Sequence, residues 1–275
     1  MTTARTDSPQ RLAGASALGA AGLGLGYGRR EVVRGLDLEL PAGKVTAIVG
    51  PNGCGKSTLL AGLARVLAPR AGTVLLDGEE LAGLPTREIA RRLGLLPQSA
   101  AAPDGLTVRD LVRHGRAPHQ GLLRQWSAAD AEAVENALAA ADLLDLADRQ
   151  LETLSGGQRQ RAWIAMTVAQ DTGVLLLDEP TSALDLGHQL EVHEMLHGLA
   201  GRGRTVVMVL HDLSAACRHA DHVVAMLDGQ VVAEGEPAAV VTAELVGRLY
   251  GVDCEVLTGP SGVPVVCPTG LRREG

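Results

Sequence analysis

Phenylalanine is absent from the 275 residues, and tryptophan and tyrosine occur only twice each. A core without large rings must be filled by Leu, Val and Ala, with backbones brought close at the many glycines. Cysteine is scarce as well: Cys54, Cys217, Cys254 and Cys267 show neither metal-ligand nor Cys-x-x-Cys spacing. A reduced, cytosolic setting is the simplest reading. No run approaches the ~20 apolar residues of a membrane span, so no segment is expected to cross a bilayer by itself. The apolar stretch 12–26 is diluted by Gly14, Gly19, Gly22, Gly24 and Gly26. It lacks the charged leader and compact apolar region of a signal peptide. A formal net charge of −7 leaves no basic excess for a nucleic-acid partner. The length suits one large domain or two small ones, and no internal repeat suggests a tandem pair.

What the chain does have is Gly50-Pro51-Asn52-Gly53-Cys54-Gly55-Lys56-Ser57-Thr58. This fits Gly, four residues, Gly-Lys-Ser/Thr and resembles the P-loop of nucleoside triphosphatases. Residues 44–49 before it form an apolar β-branched run that reads as a buried parallel strand. Leu59, Leu60, Leu63, Val66 and Leu67 after it are spaced for one helix face, which Pro69 is expected to stop. A strand, a glycine loop and a helix N-terminus in succession turn N–H groups toward phosphates. Lys56 is placed to reach the β- and γ-phosphates and Ser57 to ligate Mg²⁺. The thiol of Cys54 is expected beside bound phosphate as a thiolate; the alternative is a small buried filler. A chance glycine-rich turn would not require both flanks.

Ahead of the loop, residues 18–25 suggest an edge strand and residues 31–40 a second strand. Tyr27, between them, offers a ring to stack on adenine, or is an ordinary surface tyrosine. Beyond the loop, residues 73–78 read as a short strand and 86–92 as a helix. Residues 92–98 form a strand that leaves Gln98 at a carboxyl end, where ligands bind parallel sheets. Residues 99–153 alternate loops with Ala-rich helices, notably 127–141, and read as a helical insert. Ser155 with Gln158 is a capping box for a helix over 159–169, but Gly156 and Gly157 are poor helix formers. Bare glycines at a helix start make a second anion site. One chain with one P-loop and a second phosphate cradle suggests that each ATP is held by two subunits. Residues 174–178 are an apolar strand ending in Asp178 and Glu179, and 205–210 are another, ending at His211. Alone, His211-Asp212 would be a capping pair. Residues 223–233 read as a hairpin around Asp228-Gly229. A helix over 242–250 and a Pro/Gly-rich end follow.

From residue 18 to about 250 this series resembles the ATP-binding cassette family. The resemblance implies an α/β fold: a P-loop NTPase (RecA-like) core with an antiparallel β edge and an inserted all-helical subdomain. The expected divisions are a disordered leader (1–15), the first part of the core (16–98), the insert (99–153), the signature helix with the second part of the core (154–235) and a tail (236–275). Gln98 matches the Q-loop, and Ser155, Gly156, Gly157 and Gln158 match the signature that meets ATP in trans. Tyr27 matches the adenine-stacking position, Asp178 the Mg²⁺ shell together with Ser57 and Gln98, and Glu179 the general base. Asp185 matches the D-loop and His211 the switch histidine.

The implied cofactors are ATP and Mg²⁺. Two cassettes, identical copies or paralogues, close head to tail on two nucleotides, and hydrolysis lets them part. Three function classes compete: a transporter motor, a soluble cassette ATPase of repair or translation, and a non-enzymatic switch. The second usually brings a coiled-coil insert or a tandem cassette, and the third a missing catalytic residue; neither is present. A motor at the cytoplasmic face of the membrane would work with an integral permease, met by residues after Gln98, and indirectly with an extracytoplasmic binding protein. Gly115-Arg116-Ala117-Pro118-His119-Gln120-Gly121 and Asp185-Leu186-Gly187-His188-Gln189 are similar to cassettes of ferric-siderophore importers. So are residues 158–166 and Gly251-Val252-Asp253. Haem and cobalamin importers share much of this, and Ser182-Ala183 departs from the siderophore pattern.

Overall fold

The computed structural model describes residues 16–98, 103–121, 126–182 and 184–272. The expected leader and Ala183 lie outside them. The chain opens with the strands β1 (Ser16–Tyr27), β2 (Arg30–Pro41) and β3 (Val45–Val49), and then the helix α1 (Lys56–Leu63). Next come β4 (Ala71–Leu76), β5 (Glu79–Glu80), α2 (Thr86–Arg92) and β6 (Leu93–Leu96). The helices α3 (Val108–His114), α4 (Ala128–Ala140) and α5 (Gly156–Ala169) lead into β7 (Val174–Asp178). The alternation α6 (Leu186–Ala200), β8 (Thr205–Val209), α7 (Leu213–His219), β9 (His222–Leu227) follows. The chain ends through β10 (Gln230–Gly235), α8 (Pro237–Val240), α9 (Ala243–Tyr250), β11 (Val252–Thr258) and β12 (Pro264–Leu271).

The apolar runs build the central six-stranded sheet, in the order β10-β9-β3-β8-β7-β6. Its strands are parallel except β10, which pairs antiparallel with β9. Every residue of β3, β7 and β8 is buried, as strands covered on both faces must be. A four-stranded antiparallel sheet, β2-β1-β4-β5, lies on the far side of α1. Leu59, Leu60 and Leu63 fill the space between the two sheets with Leu18, Leu23, Leu25 and Ile48. A Cβ on Gly62 would lie 2.4 Å from Leu25 Cδ1, so α1 approaches β1 as closely as only glycine allows. The other face of the central sheet packs against α5, α6 and α7 in a second cluster that runs on into α3 and α4.

Between β6 and β7 the described residues form helices joined by loops, with no strand pairing beyond one isolated bridge, Thr107 to Gln150. Thr107, Ser127 and Ser155 each start a helix with a reciprocal capping box. Asp130 is fully buried in α4 and accepts from Ser127 Oγ at 2.7 Å and from Arg116 Nε at 3.0 Å. The Ser127 hydroxyl first, and then the Arg116 guanidinium, hold its carboxyl down at about 2. Arg116 also donates to Ala169 O at 2.8 Å, and His119 Nε2 lies 2.7 Å from Gln170 O. The Gly115 to Gly121 segment thereby grips the carboxyl end of α5.

Two expectations need correction. β1 is not an edge strand but lies between β2 and β4, its backbone pairing antiparallel with both. α1 stops well before Pro69. Arg65 takes a left-handed conformation (φ 56°), its N–H donates to Gly62 O, and that of Val66 reaches Ala61 O. This is a Schellman ending, and it leaves Val66 exposed instead of on the buried face. Beyond α9, the Pro/Gly-rich end forms an antiparallel hairpin, β11 with β12.

Candidate active site

Three neighbouring strands deliver the site. Val209 of β8 stands opposite Ile48 of β3 on one side and Asp178 of β7 on the other. The carboxyl ends are therefore level: the P-loop leaves β3 at Gly50, Leu210 and His211 leave β8, and Glu179 follows Asp178. A cleft of about 470 Å³ opens on this edge. Tyr27, Asn52, Gly53, Lys56, Ser57, Glu179 and His211 all line it, with Gly55 and Thr58. Arg30 and Val32 line it as well, and sequence reasoning missed both. Their signal was the strand alternation just after Tyr27, which carries no motif.

The loop's geometry depends on glycine where it leaves β3. Gly50 has φ 147°, and a Cβ there would meet Met226 O at 2.2 Å. At the far end Gly55 precedes α1, and no side chain caps that helix. Helices of the same length or longer elsewhere do have such a cap: Ser127 on α4, Ser155 on α5, Asp185 on α6 and Thr242 on α9. The first-turn N–H groups of α1 thus face the cleft with a helix dipole behind them. Lys56 is 6% exposed and folds back over the loop, donating to Gly50 O at 2.8 Å and Pro51 O at 3.0 Å. The cleft is therefore built for a polyanion, and among the described residues Lys56 has no ion-paired acid to give up.

Ser57 Oγ donates to Asp178 Oδ1 at 3.1 Å, joining the start of α1 to the end of β7. Burial, with the Glu179 charge beside it, pushes the Asp178 carboxyl up; the Ser57 hydrogen bond and the nearby Lys56 oppose this. Glu179 stands in the left-handed region at φ 54°, sparsely populated for a non-glycine residue. Its Oε1 pairs with His211 Nε2. Asp212 caps α7 by accepting from Ser214 N at 2.8 Å, so it does form a cap while His211 turns to the glutamate.

Some expected residues lie elsewhere. Gly50 and Pro51 serve through their carbonyls, beneath the cleft surface. The Cys54 thiol points inward, with a Cβ at Gly50 only 2.9 Å from its sulfur. It is 4% exposed, and burial pushes its pKa up despite the nearby Lys56. The expectation of a thiolate beside phosphate is therefore wrong, and the buried-filler alternative holds. Gln98 lies exposed beyond β6 and does not line this cleft. Ser155, Gly156, Gly157 and Gln158 are also outside it. They form an exposed to half-buried helix start in which Ser155 Oγ accepts from Gln158 N at 3.2 Å and Gln158 Oε1 from Ser155 N at 3.1 Å.

The model of the family described as "ABC transporter" matches residues 33–182. The chain belongs to that family. The ferric enterobactin transport ATP-binding protein of Escherichia coli (strain K12) is 49% identical over 267 residues, covering 96% of each chain. A petrobactin import ATP-binding protein of Bacillus anthracis is 50% identical over 254 residues, 92% of this chain and 93% of that one. The fold is similar to that of a metal-chelate type ABC transporter solved in an inward-facing conformation. The TM-score is 0.79 and the identity 29%, over 93% of this chain and 98% of that one. The cassette is thus an ABC ATPase in which the P-loop, the strand-end Glu179 and the strand-end His211 share one cleft, with Asp178 held behind it by Ser57.

Proposed function

We propose that this cassette is the ATP-hydrolysing motor subunit of an importer of ferric siderophores. The observation that carries the motor reading is the level arrangement of β3, β8 and β7, which sets Lys56, His211 and Glu179 around one polyanion-shaped cleft. Lys56 exchanges the Gly50 and Pro51 carbonyls for the β- and γ-phosphates of ATP, and the uncapped N–H groups of α1 hold the same oxygens. Tyr27, 55% exposed at the rim, stacks on the base, a contact of ~1–3 kcal/mol. Ser57 and Asp178, with Gln98 from the adjoining strand end, supply a hydroxyl, a carboxylate and an amide oxygen, a donor set that suits a hard cation. When bound, Mg²⁺ neutralises charge on the phosphoryl oxygens. Glu179 accepts the proton of the attacking water, and His211 holds that carboxylate in place.

In this reading Ser155, Gly156, Gly157 and Gln158 serve the nucleotide of a second cassette, head to tail, and Asp185 crosses between the two. The motor sits peripherally at the cytoplasmic face of the membrane on an integral permease that receives cargo from an extracytoplasmic binding protein. The described residues contain no helix long and apolar enough to cross a membrane. The cargo rests on relatives: the two proteins compared above are named for enterobactin and petrobactin. Deleting the gene should abolish uptake of labelled ferric siderophore, with recovery by the wild-type chain and none by Glu179→Gln. Loss of haem or cobalamin uptake instead would overturn the cargo. Unchanged uptake of all three would overturn the importer.

A further inference from the structure

The first turn of α6 holds the preceding D-loop from two sides. Gln189 Nε2 donates to Leu184 O at 3.0 Å and Thr181 O at 3.3 Å. On the other side Asp185 Oδ1 accepts from the backbone N–H of His188 at 3.0 Å and lies 2.7 Å from its Nδ1. These two contacts, the His188 N–H first, keep the exposed Asp185 carboxyl below the usual range. The same imidazole has a second neighbour. A Cβ built on Gly157 would lie 3.3 Å from His188 Cγ and 3.5 Å from Cδ2 and Nδ1. The ring therefore rests on the first turn of α5. Gly156, one residue earlier, has open space around it, so the two glycines are not equivalent. The capping box, made by Ser155 and Gln158, does not require a glycine at 157. The His188 ring packs directly against that position.

We propose that His188 is a positioning residue that locks the D-loop onto the N-terminus of the signature helix, so that both meet the partner cassette's nucleotide as one unit. The ring acts through Asp185 and Gly157 and need not touch the nucleotide. This rests on the two-cassette reading above. Without the ring, Asp185 and the α5 start would be aligned separately at each closure, which weakens the closed dimer and leaves the P-loop's own affinity intact.

The test uses the full chain in a Glu179→Gln background, with ATP and Mg²⁺, by sedimentation equilibrium. Adding His188→Ala should raise the dimer dissociation constant by about tenfold, the scale of one lost charge-assisted contact. ATP affinity of the dilute monomer and the melting temperature should stay at the parent's values. His188→Asn keeps a donor for Asp185 but withdraws the ring from Gly157, and should weaken the dimer in the same direction. A dimer as tight as the parent's in both variants overturns the proposal. So does a parallel loss of monomer ATP affinity, which would make His188 merely structural. If the Glu179→Gln parent itself forms no ATP-dependent dimer, the two-cassette reading fails, and the proposal with it.

Discussion

The N-termini of α1 and α5 are both flanked by glycine and finished in opposite ways. At α1 no side chain caps the helix, and the nearest cation, Lys56, is folded onto the loop's own carbonyls. At α5 a reciprocal capping box completes the end, with Ser155 and Gly156 presented outward. Glycine in place of a side-chain cap costs a helix only about a few tenths of a kcal/mol, and the bare N–H groups it leaves at the α1 end suit an anion. The α1 end is thus completed by a ligand from its own cleft. The α5 end is complete already and has a surface to offer. Within one chain the two do not line the same cleft, so a second copy is the natural way to bring them onto one phosphate.

The largest break in this contrast should come from Lys56→Ala. Removing the one ammonium of the loop should lower turnover by ~10²–10³-fold, as loss of a charge-stabilising donor does, with most ATP affinity lost. Equilibrium binding of a fluorescent ATP analogue and a phosphate-release assay check both parts.

Next comes a seam between α6 and α7, on the face of the sheet opposite α1. His193 of α6 stacks on His219 of α7 at 4.1 Å, with both of its ring nitrogens buried and unpartnered. Burial, with His219 and His197 close by, holds its pKa down to about 4, against a weak pull the other way from Asp212. The unfolded chain therefore binds the extra proton below about pH 6.5, and stability falls as pH drops from there toward 4. His193→Leu should remove ~2 kcal/mol of the stability lost between pH 7.5 and pH 5, read by denaturant melts at the two pH values. A slope unchanged from wild type would place the acid sensitivity elsewhere.

Ser155→Ala should cost the protein ~1 kcal/mol through the lost cap while monomer ATP binding stays as it was, since the α5 end serves another chain's nucleotide. A drop in monomer affinity would erase the contrast between the two ends. The smallest effect concerns Cys54: alkylation should be slow and equal with and without Mg·ATP. Protection by ATP would return its thiol to the cleft.

The parallel sheet was legible because β3, β7 and β8 are unbroken apolar runs whose carboxyl ends carry Gly50, Asp178-Glu179 and His211. The capping box of α5 was legible for a similar reason, since the three-residue spacing from Ser155 to Gln158 fixes the contact; the matching box of α4, Ser127 with Asp130, went unread. What lay hidden depends on contacts distant in sequence or on the direction of a side chain in a loop. Nothing in the spacing around Cys54 reveals that its sulfur turns inward toward Gly50. Arg65 ends α1 by adopting a conformation that glycine usually supplies, so no glycine marked the end. β11 and β12 are only partly buried, and in β12 proline and glycine mask the alternation. His188 and Gly157 are separated by the whole of α5 and β7, and only the fold puts one on the other.

The central claim is that one phosphate is shared between the α1 end of one copy and the α5 end of another. Mixing two inactive chains tests it most directly. Lys56→Ala spoils the first end, and Ser155→Arg, with its long charged side chain, spoils the second. In a mixed dimer the Ser155→Arg copy supplies an intact P-loop and the Lys56→Ala copy an intact signature, so one composite site is whole. The account predicts that each variant alone is inactive and that the mixture recovers ATP hydrolysis. A mixture as inactive as its components, under conditions where the two chains are shown to pair, would contradict it.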